Sequence, residues 1–176
     1  GIGLFSKKPS WRGISLWRLP HQMWNLNVFV SKKTFCVVRN PFARMVSIYY
    51  DKWEGYKGPN RNDPKTLNSF IQNMTATESK HINSRPQVDY VYDQDKKVMD
   101  HILKFENLDE DFNDLMALYN LTSVALEAKP YNKRKSGALL SVRDLTEKTV
   151  SMIRDHFKLD FERFNYSLTP PLESME

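Results

Sequence analysis

Thr34-Phe35-Cys36-Val37-Val38-Arg39-Asn40-Pro41-Phe42-Ala43-Arg44-Met45-Val46-Ser47-Ile48-Tyr49-Tyr50 is the stretch whose reading decides the fold. Residues 34–38 are β-branched or apolar and predict a short buried strand. A helix should follow at once. Asn40 is a capping residue, Pro41 suits the first turn, and Phe42, Val46, Tyr49 and Trp53 recur at helical spacing as a buried face. Strand, tight junction and helix in that order are the unit of parallel α/β folds. Arg39 falls at the junction, beside the backbone N–H groups that open the helix. There a phosphate meets a guanidinium fork and the positive end of a helix together. Arg44 and Ser47, three residues apart, share a helix face that also suits an anion. The plainer alternatives are a surface ion pair for Arg39 and a tolerated helix serine for Ser47.

Outward from this unit, the first 30 residues mix Gly, Pro, Trp and basic side chains without sustained periodicity, which predicts loops and a short helix near Trp24. Residues 55–66, GYKGPNRNDPKT, are nearly free of aliphatic side chains and predict a surface loop or lid. A short helix is expected over Leu67 to Met74, an extended segment over Gln87 to Tyr92, and a second strand over His101 to Phe105. Asn107 and Asp109 are candidate caps for a helix carrying Phe112, Leu115, Met116 and Tyr119. Residues 128–138, AKPYNKRKSGA, form a basic loop. Thr146 should cap a last helix, with Leu145, Val150, Ile153 and Phe157 on its apolar side, before Pro170 and Pro171 end regular structure. The predicted organisation is one domain over residues 1–169 and a tail over 170–176.

Composition narrows the function classes. The 176 residues, 40% hydrophobic and 27% charged, suffice for one core and are too apolar for a disordered tail. No long uncharged stretch suggests a membrane span. Cys36 is the single cysteine, which excludes an internal disulfide and any Cys-rich metal centre, and it fits a reducing compartment. The net charge of +5 is unevenly placed: the first fifty residues hold eight Lys or Arg and no Asp or Glu, so the remainder is net negative. That asymmetry points to an anion held near one end of the chain, such as a nucleotide, sulfate or polyanionic glycan.

The run Arg39-Asn40-Pro41-Phe42-Ala43-Arg44 followed by Ser47 resembles the 3′-phosphate motif of sulfotransferases that use 3′-phosphoadenosine 5′-phosphosulfate (PAPS). The similarity is greatest to the branch of carbohydrate sulfotransferases and their bacterial relatives. Arg85 to Asp93, Leu103 to Leu108 followed by Asp111-Phe112, and Asp160 to Tyr166 resemble that branch in the same order, so the likeness covers residues 20–166. It implies a compact parallel sheet flanked by helices, related to the P-loop nucleotide kinases. It also implies PAPS as sulfuryl donor, PAP as product, a hydroxyl acceptor and no metal. Arg39 and Ser47 would then bind the 3′-phosphate. Asn132, Lys133 and Lys135 would lie on a late donor-contacting loop. Gln87 would either orient a ligand through its amide or satisfy groups of the fold. The lysine- and glycine-containing loop that cradles the 5′-phosphosulfate in the family has no clear counterpart; Lys7, Lys8 and Ser15 supply its chemistry in another order.

Sulfuryl transfer requires in-line attack, a base for the acceptor proton, and cations for the charge that develops. By resemblance, and as the one histidine of the basic N-terminal section, His21 is the expected base, with Lys8 as the expected catalytic cation. His81, His101 and His156 are too dispersed for a zinc triad, and His101 suits a structural role. Glu106 is either a catalytic carboxylate or part of a strand-to-helix junction. Trp11, Trp17, Trp24, Tyr56 and Arg61 are candidates for an acceptor groove, with an anionic glycan among the acceptors. The rival function is a noncatalytic nucleotide- or polyanion-binding protein of the same fold. No recognised module supports specific nucleic-acid binding, and nothing points to a particular oligomeric state. The expected compartment is the cytoplasm, or the Golgi lumen if an N-terminal membrane anchor is missing from this chain.

Overall fold

The computed structural model describes residues 33–51, 55–76, 84–122 and 140–171. The predicted helix near Trp24, Trp53 and the basic loop over 128–138 lie outside these residues. Strand β1 (Phe35–Val38) leads through Arg39 and Asn40 into helix α1 (Pro41–Tyr49). After the loop come α2 (Pro64–Ala76), a single turn α3 (Val88–Val91), and the two-residue strands β2 (Tyr92–Asp93) and β3 (Lys96–Lys97). Strand β4 (His101–Lys104) then runs through a 3-10 turn into α4 (Leu108–Leu118), and α5 (Glu147–His156) and α6 (Lys158–Arg163) complete the fold. β1 and β4 pair in parallel, from Phe35 opposite His101 to Val38 opposite Lys104, whereas β2 and β3 form a small antiparallel hairpin. The architecture is α/β, a small parallel sheet flanked by helices.

Helix α1 forms as its sequence requires. Asn40 Oδ1 accepts from the N–H groups of Phe42 and Ala43, Pro41 occupies the first turn, and Phe42, Val46 and Tyr49 are buried together with Met45 and Ile48. They pack on Leu67 and Ile71 of α2 and on Val150, Ile153 and Phe157 at α5. Thr146 caps α5 through the Thr149 N–H. A smaller cluster gathers Val38, Val88, Val91, Met99 and Phe164, and Tyr166 packs against both clusters. A side-chain box opens both parallel strands: Asp100 accepts from the Thr34 N–H and hydroxyl and pairs with Lys33.

Four expectations are corrected. The first strand is not fully buried: Val38 is, but Phe35 and Val37 stand 49% and 43% exposed, because alternate side chains of a strand leave on opposite faces. Residues 88–91 are helical rather than extended, since Asp160 accepts the N–H groups of Gln87 and Val88 and both Val88 and Val91 turn inward three residues apart. Helix α2 begins at Pro64, before Leu67, where Asp63 accepts from the Lys65 N–H and the Thr66 hydroxyl. In α4, Asn107 occupies the cap position without a side-chain cap bond, Asp109 lies within the first turn, only Leu115 is buried, and Asp111 accepts from the Lys104 N–H. Asn120 and Asn165, at φ 52° and 53°, turn the chain in the left-handed region after α4 and α6, which asparagine tolerates.

Candidate anion-binding site

Arg39 immediately follows β1, and its guanidinium lies over the Phe105 ring, Cζ 4.3 Å from the centroid. Phe105 immediately follows β4. One cation therefore spans the carboxyl ends of two neighbouring parallel strands, the position at which open α/β sheets bind ligands. Two side chains bond the Arg39–Asn40 junction directly, and a third backs one of them. The buried Gln87 amide bonds both the N–H and the carbonyl of Arg39, at 2.9 and 2.8 Å. Glu106 accepts from the Asn40 N–H at 2.7 Å through one oxygen and from the Tyr166 hydroxyl at 2.9 Å through the other. Asp160, fully buried, accepts from the N–H groups of Gln87 and Val88 and from Gln87 Nε2. Burial pushes the Asp160 carboxyl up, and these bonds together with the Arg44 charge pull it back toward its ordinary value. Burial also pushes up the Tyr166 phenol, reinforced by Glu106, so Tyr166 stays a hydrogen-bond donor to that carboxylate.

The helix-start amides expected to meet an anion are already bonded. Phe42 and Ala43 donate to Asn40 Oδ1 and Arg44 N–H donates to the Asn40 carbonyl, while Pro41 has no N–H. Anion capture at this junction therefore falls on side chains. Ser47, exposed on α1, lies seven residues beyond Asn40, so its hydroxyl returns to the same side of the helix about 10 Å along its axis. Arg44 does not join it. Its Nη1 donates to the Arg85 carbonyl at 2.9 Å and its guanidinium rests over Phe157 at 5.5 Å, a half-buried setting in which desolvation lowers its pKa. An arginine remains charged there.

His21, Lys7, Lys8 and Ser15, and likewise Asn132, Lys133 and Lys135, lie outside the described residues, as do Trp11, Trp17, Trp24 and His81. Gln87 and Glu106 both bond the Arg39–Asn40 junction, the structural half of each alternative. His101 bonds the Tyr119 hydroxyl, and His156 donates to the Ser84 carbonyl. Among the described residues no group of three His, Cys, Asp or Glu side chains is placed to hold a metal ion. Tyr56 stacks on Tyr49 at 5.4 Å and, with Lys65, Thr66, Ser69, Phe70 and Asn73, lines an open cavity of about 360 Å³. Gly55 makes the stack possible, since a Cβ there would lie 2.5 Å from the Tyr49 carbonyl oxygen. Arg61 instead rests over Tyr50. Phe105, Asp160 and Tyr166 are the members that residue-level reasoning missed. Phe105-Glu106 directly after a strand was the available signal for the first, and long-range contacts place the other two.

A cation braced at the carboxyl ends of parallel strands, with an exposed hydroxyl two helical turns away, gives this α/β protein a candidate anion site at its strand ends. The model of the sulfotransferase family matches residues 15–167, and the chain belongs to that family, whose enzymes generally take the sulfuryl group from PAPS and pass it to an acceptor. No curated protein and no solved structure matches the chain. Among the described residues no helix is long and apolar enough to cross a membrane.

Proposed function

We propose that this protein is a PAPS-dependent sulfotransferase acting on a hydroxyl, with a carbohydrate as the acceptor. The observation that carries this reading is the Arg39 guanidinium lying across the ends of β1 and β4, 4.3 Å over Phe105. The donor set fits a phosphate: a half-buried guanidinium and an exposed Ser47 hydroxyl approach it, and the nearby Glu106 carboxylate has both oxygens occupied by donors. In this reading Arg39 and Ser47 hold the 3′-phosphate, and Asn132, Lys133 and Lys135 add contacts from their loop. Lys7, Lys8 and Ser15 face the 5′ side, with Lys8 opposing the charge that develops there, and His21 takes the acceptor proton. PAPS supplies the activated sulfuryl group. The cavity beside Tyr56 and Phe70 receives the acceptor, since aromatic faces with a lysine and hydroxyls suit a sugar.

The rival reading, a noncatalytic nucleotide- or polyanion-binding protein, has in its favour the absence of the family's usual 5′-loop pattern from residues 1–20. Calorimetry with PAP tests the site common to both. Arg39→Ala should weaken binding by about 10- to 100-fold, the worth of a charged hydrogen bond. Wild-type protein that binds no PAP refutes both nucleotide readings. A sulfuryl-transfer assay on wild type, His21→Ala and Lys8→Ala then separates enzyme from binder. Transfer by wild type that His21→Ala leaves intact removes His21 as the base.

A further inference from the structure

The side-chain amide of Gln87 closes on a single residue from both sides. Its Oε1 accepts from the Arg39 N–H at 2.9 Å and its Nε2 donates to the Arg39 carbonyl at 2.8 Å. Two residues in an antiparallel hydrogen-bonded pair exchange the same two bonds, which a parallel ladder like that of β1 and β4 does not offer. Here the pair falls one residue beyond the ladder, whose last rung joins Val38 to Lys104. A side chain from another segment thus satisfies the backbone of residue 39 on the edge of β1 away from β4, and that residue bears the guanidinium.

The amide is locked in one orientation. Nε2 also donates to Asp160 Oδ2 at 3.3 Å, while Asp160 accepts the backbone N–H groups of Gln87 and Val88 at 2.8 and 2.9 Å. Turning the amide over would set its NH2 against the Arg39 N–H and its oxygen against both a carbonyl and a carboxylate. The peptide whose carbonyl Gln87 holds is held by its N–H as well, from Asn40 to Glu106, and Phe105 next to Glu106 carries the ring beneath the guanidinium. Gln87 and Glu106 thus hold the Arg39 backbone, and Phe105 holds its side chain.

We propose that Gln87 is a positioning residue for donor binding: its amide sets the Arg39 backbone so that the guanidinium lies over Phe105 and meets the nucleotide phosphate. This rests on the reading of Arg39 as the phosphate-binding residue. Gln87 acts only through Arg39.

The test is a double-mutant cycle on PAP affinity in wild type, Gln87→Ala, Arg39→Ala and the double variant. It is accompanied by thermal midpoints and by the Arg39 Nε–Hε resonance of the unliganded protein. Gln87→Ala should weaken PAP binding about tenfold or more, yet by less than about twofold in the Arg39→Ala background. The Arg39 resonance, displaced by the Phe105 ring in wild type, should move toward the position of free arginine in Gln87→Ala. Gln87→Met, which fills similar space with neither hydrogen bond, replaces alanine if the latter does not stay folded. Equal losses in both backgrounds, or no loss in a folded Gln87 variant, overturn the proposal. If wild type binds no PAP, the donor reading fails and the resonance decides alone: moved in the Gln87 variant, the positioning role stands; unmoved, it falls.

Discussion

Replacing Asp160 by alanine should destabilise the fold by about 3 kcal/mol, a large share of the 5–15 kcal/mol typical of a domain. Asp160 is fully buried and accepts three N–H groups, the backbone amides of Gln87 and Val88 and the side chain of Gln87. Alanine leaves the two backbone donors buried without an acceptor, at about 1–3 kcal/mol each. Relief from burying a carboxylate, whose pKa burial has already pushed up, offsets part of that cost, and loss of the charge facing Arg44 restores some of it. Asp160→Asn keeps one acceptor and turns the other position into a donor facing a donor, so about half the cost should remain. Urea unfolding followed by circular dichroism measures both. For an m-value near 2 kcal/mol/M the alanine midpoint should fall by about 1.5 M with m unchanged. The pH dependence has a definite sign. A carboxyl with a raised folded-state pKa binds its proton more readily in the folded chain, so wild type should lose stability relative to Asp160→Asn as pH rises from about 4 through the raised value. An alanine midpoint within about 0.3 M of wild type would show that these bonds do not hold α6 to the α3 turn.

Asp100 should behave in the opposite sense. The Thr34 N–H, Lys33 and the Thr34 hydroxyl hold its carboxyl down at about 2, so its contribution is present above the usual carboxylate range and is lost as pH falls from about 4 through 2. Carboxyl-carbon NMR should show that midpoint, and Asp100→Asn should remove the pH dependence of stability in that window. Cys36, whose thiol burial pushes up to about 11, should react slowly with a disulfide reagent at pH 8 and faster as pH approaches that value; fast labelling of folded protein at pH 8 would contradict its burial. Phe70→Ala, which opens the cavity beside Tyr56, should raise the KM for a carbohydrate acceptor several-fold while leaving PAP affinity unchanged; an unchanged KM removes the cavity from the acceptor path.

Where neighbouring residues determine the outcome, the sequence was legible. Asn40-Pro41 and the apolar spacing after it specify α1, and Thr146 with Val150, Ile153 and Phe157 specifies α5. The start of α2 was also within reach, since Asp63-Pro64 is a cap followed by a first-turn proline, but its loop-like surroundings concealed it. Val88 and Val91 suggested an extended segment because the group that coils them, Asp160, lies more than seventy residues away. The candidate site divides the same way. Arg39 and Ser47 stand out at a strand–helix junction, and the Asn40 cap that takes the helix-start amides is equally local, whereas the clamps from Gln87 and Glu106 depend on contacts that no local pattern encodes.

The clamp on Arg39 also orders events in time. Residue 39 is synthesised with β1 and α1, well before Gln87 and before Asp160 of α6, which bonds the Gln87 amide against it. Until α6 docks, a nascent chain carries the guanidinium without the support that aims it. Phosphate affinity at the proposed site should therefore arrive when α6 docks rather than grow with chain length, and chains that stop short of α6 would not sequester nucleotide.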